Sequence, residues 1–271
     1  MRSARKTFWD NPPGVRPQRL ARSTVRLAAL GASIAALALA AEPALAAPEC
    51  GTRWASATGV GRPAADVAWR AEIIARTPLW RSAPKRGVRW RGSIAPHQAS
   101  WLLVLRAERD GKGRCWLQVR LPSRPNRAAA WVNADRVTLR RTRWRIVVSR
   151  RGRTIAVYRD GRPRRRFRVV IGAQSTPTPH GLFSIVGVWR SNPAHFLGSY
   201  ILPLTAHSDV LQEFGNGDGR VGIHGRGGAS LLDPLGAARS HGCIRLANRA
   251  IEWLVRTVGA ERLPGIPVRV R

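Results

Sequence analysis

Apolar residues in this chain come in short runs closed by turn residues, a pattern that suits strands and almost nothing else. Trp101-Leu102-Leu103-Val104-Leu105 is one such run, followed by the turn signal Asp110-Gly111-Lys112-Gly113. Cys115-Trp116-Leu117-Gln118-Val119-Arg120-Leu121 alternates apolar and polar residues, as a half-buried strand does, and ends at Pro122. Ala130-Trp131-Val132-Asn133 and Val137-Thr138-Leu139 follow, so the stretch 73–140 reads as a small β-barrel. Near Arg143 a second series begins: runs at 144–149 and 154–158 flank the hairpin-like turn Arg150-Arg151-Gly152-Arg153. Further runs at 166–171 and 182–189, and a last one at 267–270, continue it. Helical spacing occurs in one place. Ala250, Ile251, Leu254, Val255 and Val258 share one face of 247–258, and Gly259 stands where a helix would end. The expected fold class is mainly β, in two domains, with one helix.

The N-terminus constrains location. Residues 1–26 hold seven basic residues (Arg2, Arg5, Lys6, Arg16, Arg19, Arg22, Arg26) against Asp10, and 27–41 are uncharged and rich in Ala and Leu. Pro43 then breaks the run, and Ala44-Leu45-Ala46 offers small residues for cleavage. That order is the plan of a secretory signal peptide over 1–46, or of an uncleaved anchor. The apolar run is shorter than the roughly 20 residues that span a bilayer. Residues 47–72 read as a linker or extension.

Export decides how the charge is read. The chain has 47 basic and 15 acidic residues, a net +32, nearly all from Arg. Such a charge ordinarily suggests nucleic acid. Without the seven basic and two acidic residues before Ala47, the remainder still carries +27. Outside the cytoplasm its polyanions would be anionic cell-wall polymers, lipid headgroups and peptidoglycan carboxylates, with no nucleic acid partner expected. A solvated Arg-rich surface with no partner is the bland alternative. With 44% hydrophobic residues and 11 Trp, the chain can bury a core and is not a disordered polycation.

Cys50, Cys115 and Cys243 make an odd count for an exported chain, which implies intermolecular pairing or a free thiol with a purpose. Cys243 sits in a Gly- and His-rich motif, whereas Cys50 and Cys115 lie in the N-terminal half with no His nearby. Cys50 and Cys115 are therefore expected to form a disulfide; two buried thiols are the alternative.

Two stretches carry chemistry: Gly222-Ile223-His224-Gly225 and Ser240-His241-Gly242-Cys243-Ile244-Arg245-Leu246. A free thiol is mostly protonated at neutral pH, and an adjacent imidazole lets it reach the nucleophilic thiolate. Cys243 is the candidate nucleophile and His224 its base. The backbone N–H groups of His241, Gly242 and Cys243 could form a nest for an oxyanion, with Gly242 permitting the tight approach. Zinc binding by His207, His224 and His241 is a competing reading, but the close ligand spacings of a metal site are missing and no metal or other cofactor is expected.

The Ile-His-Gly and Ser-His-Gly-Cys-Ile-Arg-Leu pair resembles the signature of the L,D-transpeptidase family of YkuD type. Ile171-Gly172, Thr176-Pro177-Thr178-Pro179 and Gly181-Leu182-Phe183-Ser184-Ile185 add to the likeness, which covers 143–271. The resemblance implies a β-rich catalytic domain with one helix after the nucleophilic Cys243. It implies that the thiolate attacks the third-residue carbonyl of a tetrapeptide stem of peptidoglycan and expels D-Ala. An amine of another stem would then take the acyl group in a 3→3 cross-link, or water would take it in an L,D-carboxypeptidase reaction. The resemblance also makes the Gly225 carbonyl the holder of the His224 imidazole. It makes His241 and Ser240 loop-shaping residues, and Arg245 and Arg226 candidate substrate contacts. Arg226 stands where Thr is common in the family, and Pro179-His180-Gly181 where Pro-Thr-Gly is common. Separately, Trp116-Leu117-Gln118-Val119-Arg120-Leu121-Pro122 and Ala130-Trp131-Val132 resemble a bacterial SH3-like domain, which implies a wall-positioning module over 73–140. A catalytically idle wall-binding protein is the remaining reading, and the intact Cys243 and His224 pair argues against it.

Overall fold

The computed structural model describes residues 16–17, 63–82, 89–96, 101–112, 114–214 and 217–271. The expected signal segment 1–46 (apart from 16–17), the extension 47–62 and Cys50 lie outside the described residues. Among the described residues the architecture is mainly β with a single α-helix.

The first domain is one seven-stranded antiparallel sheet. Its strands are β2 (Ala68–Ile73), β3 (Thr77–Trp80), β4 (Arg89–Ile94), β5 (Leu102–Arg109), β6 (Cys115–Arg120), β7 (Ala129–Asn133) and β8 (Val137–Thr142), in spatial order β4-β3-β7-β6-β5-β2-β8. Alternation decides which residues meet inside: Ala71, Ile73, Leu102, Val104, Leu117, Val119, Ala130 and Val132 form its core. β2 starts within the stretch expected to be linker. Its small Ala68 and Ala71, 2% and 0% exposed, are core residues that too little side chain marks as such. Cys115 is disulfide-bonded, while Cys50, the partner expected for it, is not among the described residues.

The second domain stacks two larger sheets. One has the order β11-β10-β9-β19-β13, built from β9 (Trp144–Ser149), β10 (Thr154–Arg159), β11 (Arg162–Arg168), β13 (Gly181–Ser184) and β19 (Pro267–Val270). The other has the order β14-β15-β16-β18, from β14 (Trp189–Arg190), β15 (Tyr200–His207), β16 (Arg220–His224) and β18 (Ile244–Arg245); the dipeptide β1 (Arg16–Pro17) lies antiparallel on β14. A short parallel pair, β12 (Ile171–Gly172) with β17 (Ala238–Ser240), sits beside them. The helix α1 (Asn248–Val258) buries Ala250, Ile251, Leu254, Val255 and Val258, the face expected from its spacing. Gly259 ends it at φ +91°, with its N–H on the Val255 carbonyl. Phe183, Ile185, Leu202, Leu204, Ile223, Ile244, Leu254 and Ile266 fill one continuous core between sheets and helix. Among the described residues no helix is long and apolar enough to cross a membrane.

Two strand expectations need correction. The run 182–189 is not one strand: β13 stops at Ser184, Ile185 makes only an isolated bridge to Leu204, and pairing resumes at Trp189. Likewise 166–171 is divided, with Arg162–Arg168 pairing to β10 and Ile171–Gly172 to β17.

Arg70 joins the two domains. Its buried guanidinium donates to the carbonyls of Glu261 (3.2 Å), Arg262 (2.9 Å) and Pro264 (3.0 Å), and stacks 4.5 Å from the Trp101 ring centroid. Burial lowers its pKa to about 10, so it stays charged at neutral pH. Gly265, at φ +82°, leaves the room: a Cβ there would lie 2.8 Å from that of Arg70. Arg70→Ala would strand these carbonyls and should lower unfolding stability by ~2 kcal/mol, read as a shifted denaturant midpoint.

Candidate functional site

One pairing register assembles the site. β16 and β18 run parallel, with Ile223 opposite Ile244 and His224 opposite Arg245. Side chains alternate along a strand, so Ile223 and Ile244 point together into the core, both 0% exposed. His224, Cys243 and Arg245 therefore share the opposite face. The two motifs that stand apart in the sequence meet here.

Cys243 is a free thiol, partly buried, packed with Trp189 and Leu197 around Ile201. Burial pushes its pKa above the usual thiol value, while a backbone hydrogen bond with Gly222 and the Arg245 charge pull the other way. His224 is buried, and its Nδ1 lies 2.8 Å from the Gly225 carbonyl oxygen. Burial first, then the Arg245 charge, lowers the imidazole pKa to about 4; backbone hydrogen bonds to Gly225 and Leu197 offset only part of this. At neutral pH the ring is uncharged, so Nδ1 carries the proton donated to Gly225 and Nε2 is the basic nitrogen. Resting thiol and imidazole are both neutral.

The loop before Cys243 is held from two sides. Ser240 Oγ donates to the Cys243 carbonyl at 2.6 Å and accepts from Gly242 N–H at 3.2 Å, so one of the N–H groups expected in the oxyanion nest is engaged within the loop. Gly242 sits at φ +115°, a conformation L side chains rarely adopt. From the other side, Thr178 Oγ1 donates to the Gly242 carbonyl (2.8 Å) and accepts from Gly172 N–H (2.9 Å); Thr176 Oγ1 donates to the Ser240 carbonyl (3.2 Å). His241 is exposed and stacks on Phe214, ring centroids 4.9 Å apart.

The two arginines expected to touch substrate are committed elsewhere. Arg226 is buried and donates to the carbonyls of Ser230 (3.2 Å), Leu231 (2.9 Å) and Asp233, bracing the turn Gly228–Leu232. A long side chain with several donors can cap such a turn where a Thr could not. Arg245 is 4% exposed, pairs with Asp233 at 2.6 Å and lies 4.7 Å from the Phe196 ring centroid. It acts on the site as a fixed charge behind the pair. His207, the other zinc candidate, is bonded to Asp218 at 3.0 Å.

Several contributors carried no readable role in the sequence. Asn248 Oδ1 accepts from the backbone N–H of Ser199 (3.1 Å) and Arg226 (3.0 Å), and its Nδ2 donates to the Pro193 carbonyl (3.1 Å). It thereby fastens the turn bearing Phe196 to the end of β16. Phe196 and Phe214, 41% and 43% exposed, lie against the rings of His224 and His241 respectively. Only Thr178 had a signal, within the Thr-Pro-Thr-Pro run.

Residues 143–270 match the family model of YkuD, the L,D-transpeptidase catalytic domain. A curated Bacillus licheniformis relative, named as a candidate L,D-transpeptidase YkuD, is 34% identical over 115 residues, 42% of this chain and 60% of that protein. This chain thus spans under two thirds of that relative's length. A solved Enterococcus faecium L,D-transpeptidase is 23% identical over 47% of this chain and 49% of its own, with a TM-score of 0.33. A Mycobacterium tuberculosis L,D-transpeptidase structure is 18% identical over 58% and 90% of the two chains, with a TM-score of 0.38.

Thr178→Val keeps the shape but strands the Gly172 N–H and the Gly242 carbonyl. Stability should fall by ~2 kcal/mol, and alkylation of Cys243 by iodoacetamide should change rate at a temperature where the variant remains folded.

Proposed function

We propose that the chain is a peptidoglycan L,D-transpeptidase in which Cys243 is the nucleophile and His224 the general base. What supports this reading is that the β16–β18 register puts the free Cys243 thiol and the buried, neutral His224 on one face, within the residues that match the L,D-transpeptidase catalytic domain.

His224 Nε2 accepts the thiol proton as Sγ attacks the third-residue carbonyl of a tetrapeptide stem. The tetrahedral adduct collapses, the bond to the terminal D-Ala breaks, and the leaving amine takes the proton from His224. A thioester remains on Cys243. The amine of a second stem then attacks it, gives its proton to His224, and leaves as a 3→3 cross-linked product with the thiol restored. Gly225 keeps the imidazole in one tautomer throughout, and His241 and Ser240 shape the loop. Burial, and after it the Arg245 charge, opposes protonation of the ring and keeps His224 in its basic form between turnovers. Water as acceptor gives the L,D-carboxypeptidase side reaction. The same reading places the protein outside the cytoplasm, behind an export signal in 1–46. Residues 73–140 act there as an SH3-like positioning module, with the Arg-rich surface against anionic wall polymers.

Purified protein incubated with a labelled tetrapeptide stem should yield cross-linked dimer with D-Ala release by mass spectrometry; tripeptide alone would indicate hydrolysis, and unchanged stem would contradict the reading. Cys243→Ala should abolish both the product and the covalent adduct. His224→Ala should slow acylation by ~10²-fold or more. The pH profile of acylation carries a sign. The reactive form has a neutral imidazole, so the rate should rise as pH increases through about 4, where His224 loses its proton, and be level through 6.5. An acid limb centred at 6.5 would mean that the imidazole is not held as described.

A further inference from the structure

Residues 208–214 and 217–219, between β15 and β16, form a wall beside the motif that carries Cys243, since Phe214 stacks on His241, two residues before it. Some of its bonds are its own: Phe214 and Gly217 exchange N–H to carbonyl bonds at 3.0 Å, and Ser208 N–H reaches the Gly219 carbonyl at 2.8 Å. Others come from the first domain. Arg124 Nη1 donates to the Ser208 carbonyl (2.9 Å), and Nη2 donates to those of Leu211 (2.8 Å) and Asp218 (3.0 Å). One guanidinium thus ties the outgoing and returning limbs together.

Asn126 adds a second anchor at the base of the wall. Its Nδ2 donates to the His207 carbonyl (2.6 Å) and to Asp209 Oδ1 (2.7 Å), and its Oδ1 accepts from His207 N–H (2.8 Å). Arg220, already paired with Asp218, donates to the Pro122 carbonyl at 3.1 Å. The clamp is itself braced. Buried Arg120 donates to the carbonyls of Arg127 and Ala128, and Leu121 N–H bonds the Ala128 carbonyl at 2.9 Å, closing the base of the 122–127 loop. Gly219, at φ +69°, makes the fit possible: a Cβ there would lie 2.8 Å from Arg124 Nη2 and 2.2 Å from the Leu211 carbonyl oxygen.

We propose that the 122–127 loop of the first domain is a positioning element of the Cys243 site, with Arg124 and Asn126 holding Phe214 against His241 and so setting how tightly the stem peptide binds. It rests on that site being the transpeptidase site. Neither residue touches the reacting atoms; both act through the backbone of 208–214 and 217–219. The first domain is then part of the binding site rather than only a tether to the wall.

The test uses the full chain and two readouts. In Arg124→Ala, the KM for the tetrapeptide stem should rise about tenfold, as for loss of charge-assisted hydrogen bonds, while kcat stays within about twofold. Amide hydrogen exchange in 208–214 and 217–219 should quicken by about tenfold or more. Arg124→Lys keeps the charge but lacks the planar fork that reaches three carbonyls, so it should be intermediate in both. Full rescue by Lys would reduce the effect to charge and overturn the proposal. So would Arg124→Ala with wild-type exchange, or with kcat lowered at unchanged KM. If the wild type turns over no stem peptide while exchange in Arg124→Ala still quickens, the clamp stands and the transpeptidase reading falls.

Discussion

The register of β16 on β18 is the constraint on which the site depends. It sends Ile223 and Ile244 into the core and leaves His224, Cys243 and Arg245 on the other face. A slip of one residue would exchange these sets, turning two isoleucines toward the thiol's face and driving an imidazole and a charged guanidinium into the dry core between the sheets. The apolar side therefore fixes the other side, and burial of two isoleucines sets the thiol and the imidazole on one face.

The same dryness sets the protonation states. Burial raises the Cys243 thiol and lowers the His224 imidazole, so the free protein holds both groups neutral rather than as thiolate and imidazolium. Arg245, held by Asp233, favours the thiolate but opposes the imidazolium. In the proposed reaction the proton accordingly moves during attack rather than before it. A neutral thiol at rest is also less open to oxidation than a standing thiolate, because thiolate character governs that chemistry.

Much of this was legible in the sequence where side-chain size and periodicity carry the signal. The helix face of α1 and the strands at Trp144–Ser149 and Pro267–Val270 are of that kind. What escaped depends on backbone. β15, eight residues long, was hidden by Pro203, which cannot donate to a ladder and sits where the pairing with β16 shifts register. Arg226 and Arg245 looked like substrate-facing cations, yet Arg226 donates to turn carbonyls and Arg245 pairs with Asp233, partners that only the folded turn brings near. Asn248 and Arg124 likewise bind backbone groups far away in sequence, and a residue's own neighbours say nothing of that.

The two domains meet through arginines used as multi-carbonyl clamps: Arg70 on 261–264 and Arg124 on the wall beside the Cys243 motif. Part of the large positive charge is therefore structural, placed where a planar group with several donors can satisfy loop carbonyls that no sheet pairs. At the centre of the account remains the neutral resting pair. Its most direct test is the ultraviolet absorbance of the thiolate followed against pH in the free protein, with Cys243→Ala as the blank. The account predicts no Cys243 thiolate at neutral pH and its appearance only above the ordinary value of 9.0. A thiolate already present at neutral pH, and lost in His224→Ala, would contradict it.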